Sequence, residues 1–208
     1  MLAVILSNRC DQYVGGAIDT LNLVSGWDDL VVVDDSGDRD HRAQLAATGV
    51  RVIPVSDAPA GYVAAMRRVF EVFRDQAGEH ALFWEEDFRA LAPIDAAAAV
   101  AQLEAHSLAQ VAFLRGPWFG NEHTHGGVIE AREHEGGVFD SRDGLVFHAD
   151  HWTGNPHVLP AWVWGRRWPD APWSESQFGR SLFAEGYRCA YQAGVQVDHI
   201  GIRAGTDY

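Results

Sequence analysis

The chain has 208 residues, 47% hydrophobic and 22% charged, with a formal net charge of −13; this suits one packed domain and excludes a disordered chain or a broad cationic grip on nucleic acid. All sixteen basic residues are arginine, which excludes lysine Schiff-base chemistry, a pyridoxal-phosphate anchor and a Walker-type P-loop. No apolar run approaches the roughly 20 residues that span a bilayer, and Cys10 and Cys189 allow one bridge at most, so a cytoplasmic protein without membrane contact is expected.

Met1–Leu6 lacks a basic lead and reads as a first strand, Leu2–Leu6, rather than a secretory leader. An amphipathic stretch follows from about Asp11 to Val24, then a strand at Leu30–Val33 that runs into Asp34-Asp35-Ser36-Gly37-Asp38. A helix is expected over Arg39–Thr48 with Gly49 as its stop, and a third strand over Val50–Val55. Val63, Met66, Val69, Phe70 and Phe73 have helical spacing within Ala60–Ala77, and Ala81–Trp84 is a fourth strand ending in Glu85-Glu86-Asp87. Further on, a helix over Pro93–His106 and a strand over Gln110–Leu114 are expected. Hairpins or loops are expected rather than long helices from Gly116 to about Pro172. Last come a helix at Trp173–Glu185 with Ser174 as N-cap and two closing strands, Tyr187–Ala193 and Gln196–Ile200. Strands alternating with helices imply a parallel sheet, whose ligands bind beyond the strands' carboxyl ends. Two acidic clusters, Asp34/Asp35 and Glu85/Glu86/Asp87, fall at such ends.

Alternation along an extended chain places Glu85 and Asp87 on one side. Carboxylate oxygens so placed suit a hard divalent cation that neutralises adjacent phosphates. A solvated turn is the plainer reading of an acidic triplet, but Phe83-Trp84 before it and Phe88 after it embed this one in apolar surroundings.

These segments resemble the family 2 glycosyltransferases, inverting enzymes of the GT-A fold. Val4-Ile5-Leu6-Ser7-Asn8-Arg9 is similar to their first strand and donor-contacting turn, and Val31–Asp38 to their second strand with its nucleoside-binding acidic end. Gly61–Arg68 resembles their glycine-led helix, and Leu82–Phe88 their DxD segment with glutamate in the first place. Thr153-Gly154-Asn155-Pro156 resembles an acceptor-side loop. Trp173–Phe178 resembles the catalytic-base segment, with Glu175-Ser176 where an acidic pair is usual; Val197–Gly201 resembles a strand end whose histidine completes the metal site.

The resemblance implies a single GT-A α/β domain over 1–208 with a mixed central sheet, 1–92 binding the nucleotide sugar and 93–208 the acceptor. It implies Glu175 as catalytic base, Ser7, Asn8, Arg9, Asp34, Asp35, Arg67, Glu85 and Glu86 as donor contacts, and Asp87 with His199 as ligands of Mn²⁺ or Mg²⁺. The donor would be a UDP- or GDP-sugar, and the acceptor a protein or glycan rather than modified DNA. Small size and an all-arginine basic set also resemble compact glycosyltransferases of actinobacterial phages, which would place the protein in the host cytoplasm. Glu175 also fits a first-turn glutamate favoured by the helix dipole.

Other constellations point less sharply. His123 and His125 share a side of an extended segment, and His148, Asp150, His151 and His157 follow; a zinc site can be built from such residues, as can the wall of an acceptor cleft. Six of the eight tryptophans lie between Trp118 and Trp173, as sugar platforms or as core. Arg166-Arg167 fits an acceptor phosphate or a solvated face. No GxGxxG or GxSxG supports a dehydrogenase or an α/β-hydrolase. A sugar nucleotidyltransferase on a related fold and a non-catalytic sugar-binding module remain as alternatives.

Overall fold

Side chains alternate across a strand, so a strand covered on both faces reads as one apolar run. In β1 (Leu2–Ser7) every residue is buried; Ala3 and Ile5 enter one apolar layer, and Leu2, Val4 and Leu6 enter the other. The computed structural model describes residues 1–8 and 13–201. After β1 come α1 (Val14–Thr20), a 3₁₀ turn (Leu21–Leu23), β2 (Val24–Ser25), β3 (Asp29–Asp34), α2 (Arg39–Ala47), β4 (Arg51–Pro54) and α3 (Tyr62–Gln76). Next are β5 (His80–Glu85), β6 (Phe88–Ala90), β7 (Ile94–Asp95), α4 (Ala96–Ala105), β8 (Gln110–Arg115), α5 (Gly120–His125) and α6 (Val128–His134). The chain continues through β9 (Phe139–Arg142), β10 (Leu145–His148), β11 (His157–Pro160), α7 (Ala161–Trp164), α8 (Ser174–Ala184) and β12 (Cys189–His199).

The described strands form a mixed central sheet in the order β4-β3-β1-β5-β11-β8-β12-β10-β9, with β6 paired to β12. The first four are parallel, while β11 runs antiparallel between β5 and β8. Residues of α1, α2 and α4 pack on one face and residues of α3, α7 and α8 on the other. This is an α/β layered fold with the mixed sheet expected from the sequence. Among the described residues no helix is long and apolar enough to cross a membrane. Cys189 is buried with a free thiol, and Cys10 lies outside the described residues.

The region 116–172 contains the expected hairpin, β9–β10, and no long helix, but it is more ordered than loops. It holds helices α5, α6 and α7 and, in β11, a strand at the centre of the sheet. Four residues ending in proline give too short a run for periodicity to reveal. The two predicted closing strands are one, β12, whose register shifts between Gln192 and Val197. Ser174 is the first residue of α8 rather than its N-cap; Trp173 holds the cap position with φ 59° and ψ 36°, in the left-handed region.

At the end of β8, Arg115 forks onto Glu122 of α5, with Nη1–Oε2 at 2.6 Å and Nη2–Oε1 at 2.7 Å. The main-chain N–H groups of Trp118 and Phe119 also donate to Glu122, at 2.8 and 3.0 Å. Burial alone would raise the Glu122 carboxyl, but Arg115 and these N–H groups hold it below its usual range. Removing one partner of a buried pair leaves the other charge uncompensated, at about 3–5 kcal/mol. Glu122→Ala is therefore expected to lower the unfolding free energy by about that amount, read by urea denaturation; a change below about 0.5 kcal/mol would show that the pair holds nothing.

Candidate active site

Three parallel strands end together. Ser7 closes β1, Asp34 closes β3 and Glu85 closes β5, with Ser7 in register with Asp34 and Leu6 with Glu85. Ser7 is buried, and its Oγ donates to Glu86 Oε2 at 2.5 Å. Its main-chain oxygen accepts from the Asp35 N–H at 2.7 Å. Asp34 Oδ2 accepts from Ser36 Oγ at 2.8 Å and lies 3.4 Å from Arg42 Nε; Oδ1 is buried with no hydrogen-bond partner among the described residues. Asp35 turns the other way. Its two oxygens accept from the N–H groups of Ala60 and Gly61, both at 2.8 Å, and burial raises its carboxyl. Gly61 takes φ 84° to present that N–H, a conformation that favours glycine. Asp35 thus fixes where α3 begins.

The alternation argument for Glu85 and Asp87 needs correcting. The extended chain stops at Glu85, and Glu86-Asp87 form the turn into β6. Even so the carboxylates converge. Glu85 is held well above its usual range, first by burial and then by Asp87, Glu175 and Glu86. Asp87 Oδ2 lies 3.2 Å from His199 Nε2. The His199 ring is wedged by Trp118, with centroids 3.9 Å apart, and by Phe88 at 4.6 Å, and its Nδ1 is buried with no partner among the described residues.

Glu175, in the first turn of α8, reaches the same place. Its Oε1 accepts from Tyr62 Oη at 2.5 Å, and the Gly154 N–H also donates to it while burial raises its carboxyl. A Cβ on Gly154 would lie 2.7 Å from Glu175 Oε1 and 2.9 Å from Glu85 Oε1. The two carboxylates therefore sit on either side of one missing methyl group. Gly154→Ala is expected to leave the fold intact, because only side-chain ends need move, and to displace both carboxylates; misplacement by about 1 Å costs on the order of 100-fold in turnover. Wild-type turnover in that variant would show that the spacing is immaterial.

The structure brings Ser7, Asp34, Glu85, Glu86, Asp87, His199 and Glu175 to one end of the sheet. Asn8 is exposed just beyond β1, and Arg9 lies outside the described residues. Arg67 is not brought to the carboxylates: its Nη2 pairs with Asp170 Oδ2 at 2.8 Å on the flank of α3. Arg89 joins the site without having been singled out in the sequence, and Tyr62 and Gly154, which lie in segments that carried the resemblance, join it in roles the sequence did not assign. Arg89 donates to the main-chain oxygens of Glu86 and Phe88, at 2.9 and 2.8 Å, and to that of Tyr13 at 2.8 Å, locking the acidic turn to the start of α1. An arginine two residues after the triplet was the available signal for it.

The histidine expectation is also corrected. His123 and His125 lie on helix α5, not on an extended segment, and residues two apart on a helix do not share a face. His148 and His157 are buried, and burial pushes both down to about 3, so they are neutral core residues rather than a cleft wall. His151 is held between Asp150 and Tyr191, each at 2.7 Å. Of the tryptophans, Trp152, Trp164 and Trp168 are core, and Trp162 and Trp173 are exposed.

For a divalent cation, ligand atoms each about 2.0–2.2 Å from a shared ion stand roughly 3 Å apart. The Asp87–His199 separation of 3.2 Å fits that geometry, but Glu85 does not complete a close triplet with them. Among the described residues the triplet with ligand atoms all within 4.8 Å is elsewhere, at Glu79, His80 and Glu104. It lies at the opposite end of β5, where Glu79 and Glu104 are exposed.

No protein-family model and no curated protein matches the sequence. Solved structures do match. A mannosyltransferase from Pyrobaculum calidifontis, in complex with GDP-Man and Mn²⁺, superposes with a TM-score of 0.64 at 16% identity over 98% of this chain and 58% of its own. A fragment of TarS from S. aureus gives 0.62 at 13% identity over 95% and 59%. A CMP:2-keto-3-deoxy-manno-octonic acid synthetase complexed with CTP gives 0.60 at 9% identity over 99% and 92%. The chain thus spans somewhat under three fifths of the two transferase chains. At these identities the likeness is one of architecture, and that architecture is the GT-A-type fold of nucleotide-sugar transferases.

Proposed function

We propose that this chain is an inverting glycosyltransferase that moves a sugar from a nucleotide-sugar donor to a hydroxyl acceptor. The observation that carries the reading is the convergence of Glu85, Asp87 and Glu175 at the carboxyl end of the parallel strands, where such sheets bind ligands. Asp34 Oδ1, buried and without a partner among the described residues, offers an acceptor for a nucleoside N–H or hydroxyl. Ser7 and Glu86 shape the floor beneath the diphosphate, and the donor is of the UDP- or GDP-sugar type. Mn²⁺ or Mg²⁺, when held by Asp87 and His199 with Glu85 alongside, supplies neutralising charge for the leaving diphosphate. Glu175 takes the proton of the acceptor hydroxyl as that oxygen attacks the anomeric carbon, and the bond from that carbon to the diphosphate oxygen breaks. Tyr62 and Gly154 hold the Glu175 carboxylate in line for this transfer.

Incubation with Mn²⁺ and a panel of nucleotide sugars, without acceptor, tests the reading. One donor is expected to bind and to be slowly hydrolysed to nucleoside diphosphate and free sugar. Near-complete coverage of the synthetase's length favours a second reading, a sugar nucleotidyltransferase. Release of pyrophosphate from a nucleoside triphosphate and a sugar, with no hydrolysis of any nucleotide sugar, would establish that reading instead.

A further inference from the structure

One flank of this acidic chain gathers arginines. Arg67, Arg74, Arg166 and Arg167 line a groove of about 340 Å³ between α3 and the turn after α7. Its single lining carboxylate, Glu71, is already held by Arg68 at 2.8 Å. Arg67 and Arg74 are seven residues apart and so lie on one stripe of α3. Buried Phe70 and Trp168 form an apolar floor.

The four guanidinium groups are not equally engaged. Arg166 forks onto Glu185 at 2.6 and 2.7 Å, and Arg67 holds the exposed Asp170. Among the described residues Arg74 pairs with no carboxylate and donates to the main-chain oxygen of Trp164, at 2.9 Å. Among the described residues Arg167 is exposed and pairs with no carboxylate. Two cations are therefore open on a molecule whose net charge is −13. One floor residue touches the tyrosine that holds the candidate base. Trp168 meets the Tyr62 ring edge-on with centroids 6.4 Å apart, and Tyr62 holds Glu175.

We infer that this groove binds a phosphate group carried by the acceptor, so that the substrate class is a phosphorylated hydroxyl compound; the acceptor assignment rests on the transferase reading above. A guanidinium binds oxyanions through a planar fork. One carboxylate satisfies one such fork, whereas a tetrahedral phosphate presents enough oxygens for Arg74 and Arg167 together, with Arg67 beside them.

The test is a titration of the full chain with inorganic phosphate in chelated buffer, followed by nuclear magnetic resonance of the arginine Nε–H groups. Without a cation the acidic strand ends repel phosphate, so binding reports the groove. Saturable shifts at Arg74 and Arg167 are expected, with binding at least about 10-fold weaker in an Arg74→Ala/Arg167→Ala variant whose urea midpoint is unchanged. Equal binding by both proteins, no saturable binding, or competition by acetate as strong as that by phosphate would each overturn the inference. Should phosphate bind through these arginines while the wild type hydrolyses no nucleotide sugar, the groove stands as a phosphate site and only the transferase reading falls.

Discussion

Glu175→Gln is expected to lower turnover by about 10²–10⁴-fold, the range that a positioned general base contributes, while donor affinity stays at the wild-type level. The amide keeps the size of the side chain and an oxygen that can accept from Tyr62, so α8 and the Gly154 loop have no reason to move. What it loses is the ability to take a proton. Burial raises the Glu175 carboxyl above its ordinary value of 4.5. Turnover of the wild type should therefore rise with pH through an acid limb displaced upward from an ordinary carboxylate. The folded state binds this proton more tightly than the unfolded chain does. The stability that it contributes is full below about 4.5 and is lost as pH rises through the folded value. Because the glutamine carries no charge to bury, the variant should be at least as stable as the wild type at neutral pH, which separates loss of chemistry from loss of fold. Unchanged turnover would remove Glu175 from the mechanism. An acid limb at an ordinary carboxylate pH would remove the argument from burial.

Asp87→Ala is expected to abolish cation-dependent donor binding. Asp87 is the carboxylate that the structure pairs with His199. Loss of an outer-shell partner typically costs about 10–100-fold in metal affinity, and loss of a direct ligand should exceed that. The substitution also relieves Glu85, whose carboxyl Asp87 helps to raise, so the fold should not suffer. Titration calorimetry with Mn²⁺ and the hydrolysed donor measures this. Wild-type affinity in the variant, at the same Mn²⁺ concentration, would place the cation elsewhere.

Much of the donor half was legible because its physics is local. Parallel strands buried on both faces leave continuous apolar runs, so β1, β3 and β5 stand out, and the acidic ends of β3 and β5 follow directly. The stop of α2 at Gly49, which takes φ 89°, is an equally local signal. The second half depends on distant partners. Nothing local marks the four residues of β11 as a central strand; they become one only because β5 and β8 flank them. The roles of Tyr62 and Gly154 at Glu175 were hidden for the same reason. Each acquires its role through contact with Glu175, more than twenty residues along from Gly154 and more than a hundred from Tyr62. Asp35 shows the converse limit. Its place in the acidic pair was plain, yet only tertiary structure tells that Ala60 and Gly61 occupy both of its oxygens.

The decisive measurement is anomalous diffraction from crystals soaked with Mn²⁺ and a nucleotide sugar. The account predicts one manganese peak within coordination distance of Asp87 and His199, bridging to the diphosphate, with the anomeric carbon facing Glu175. A peak at Glu79, His80 and Glu104 instead, or a diphosphate bound away from the end of β5, would contradict it.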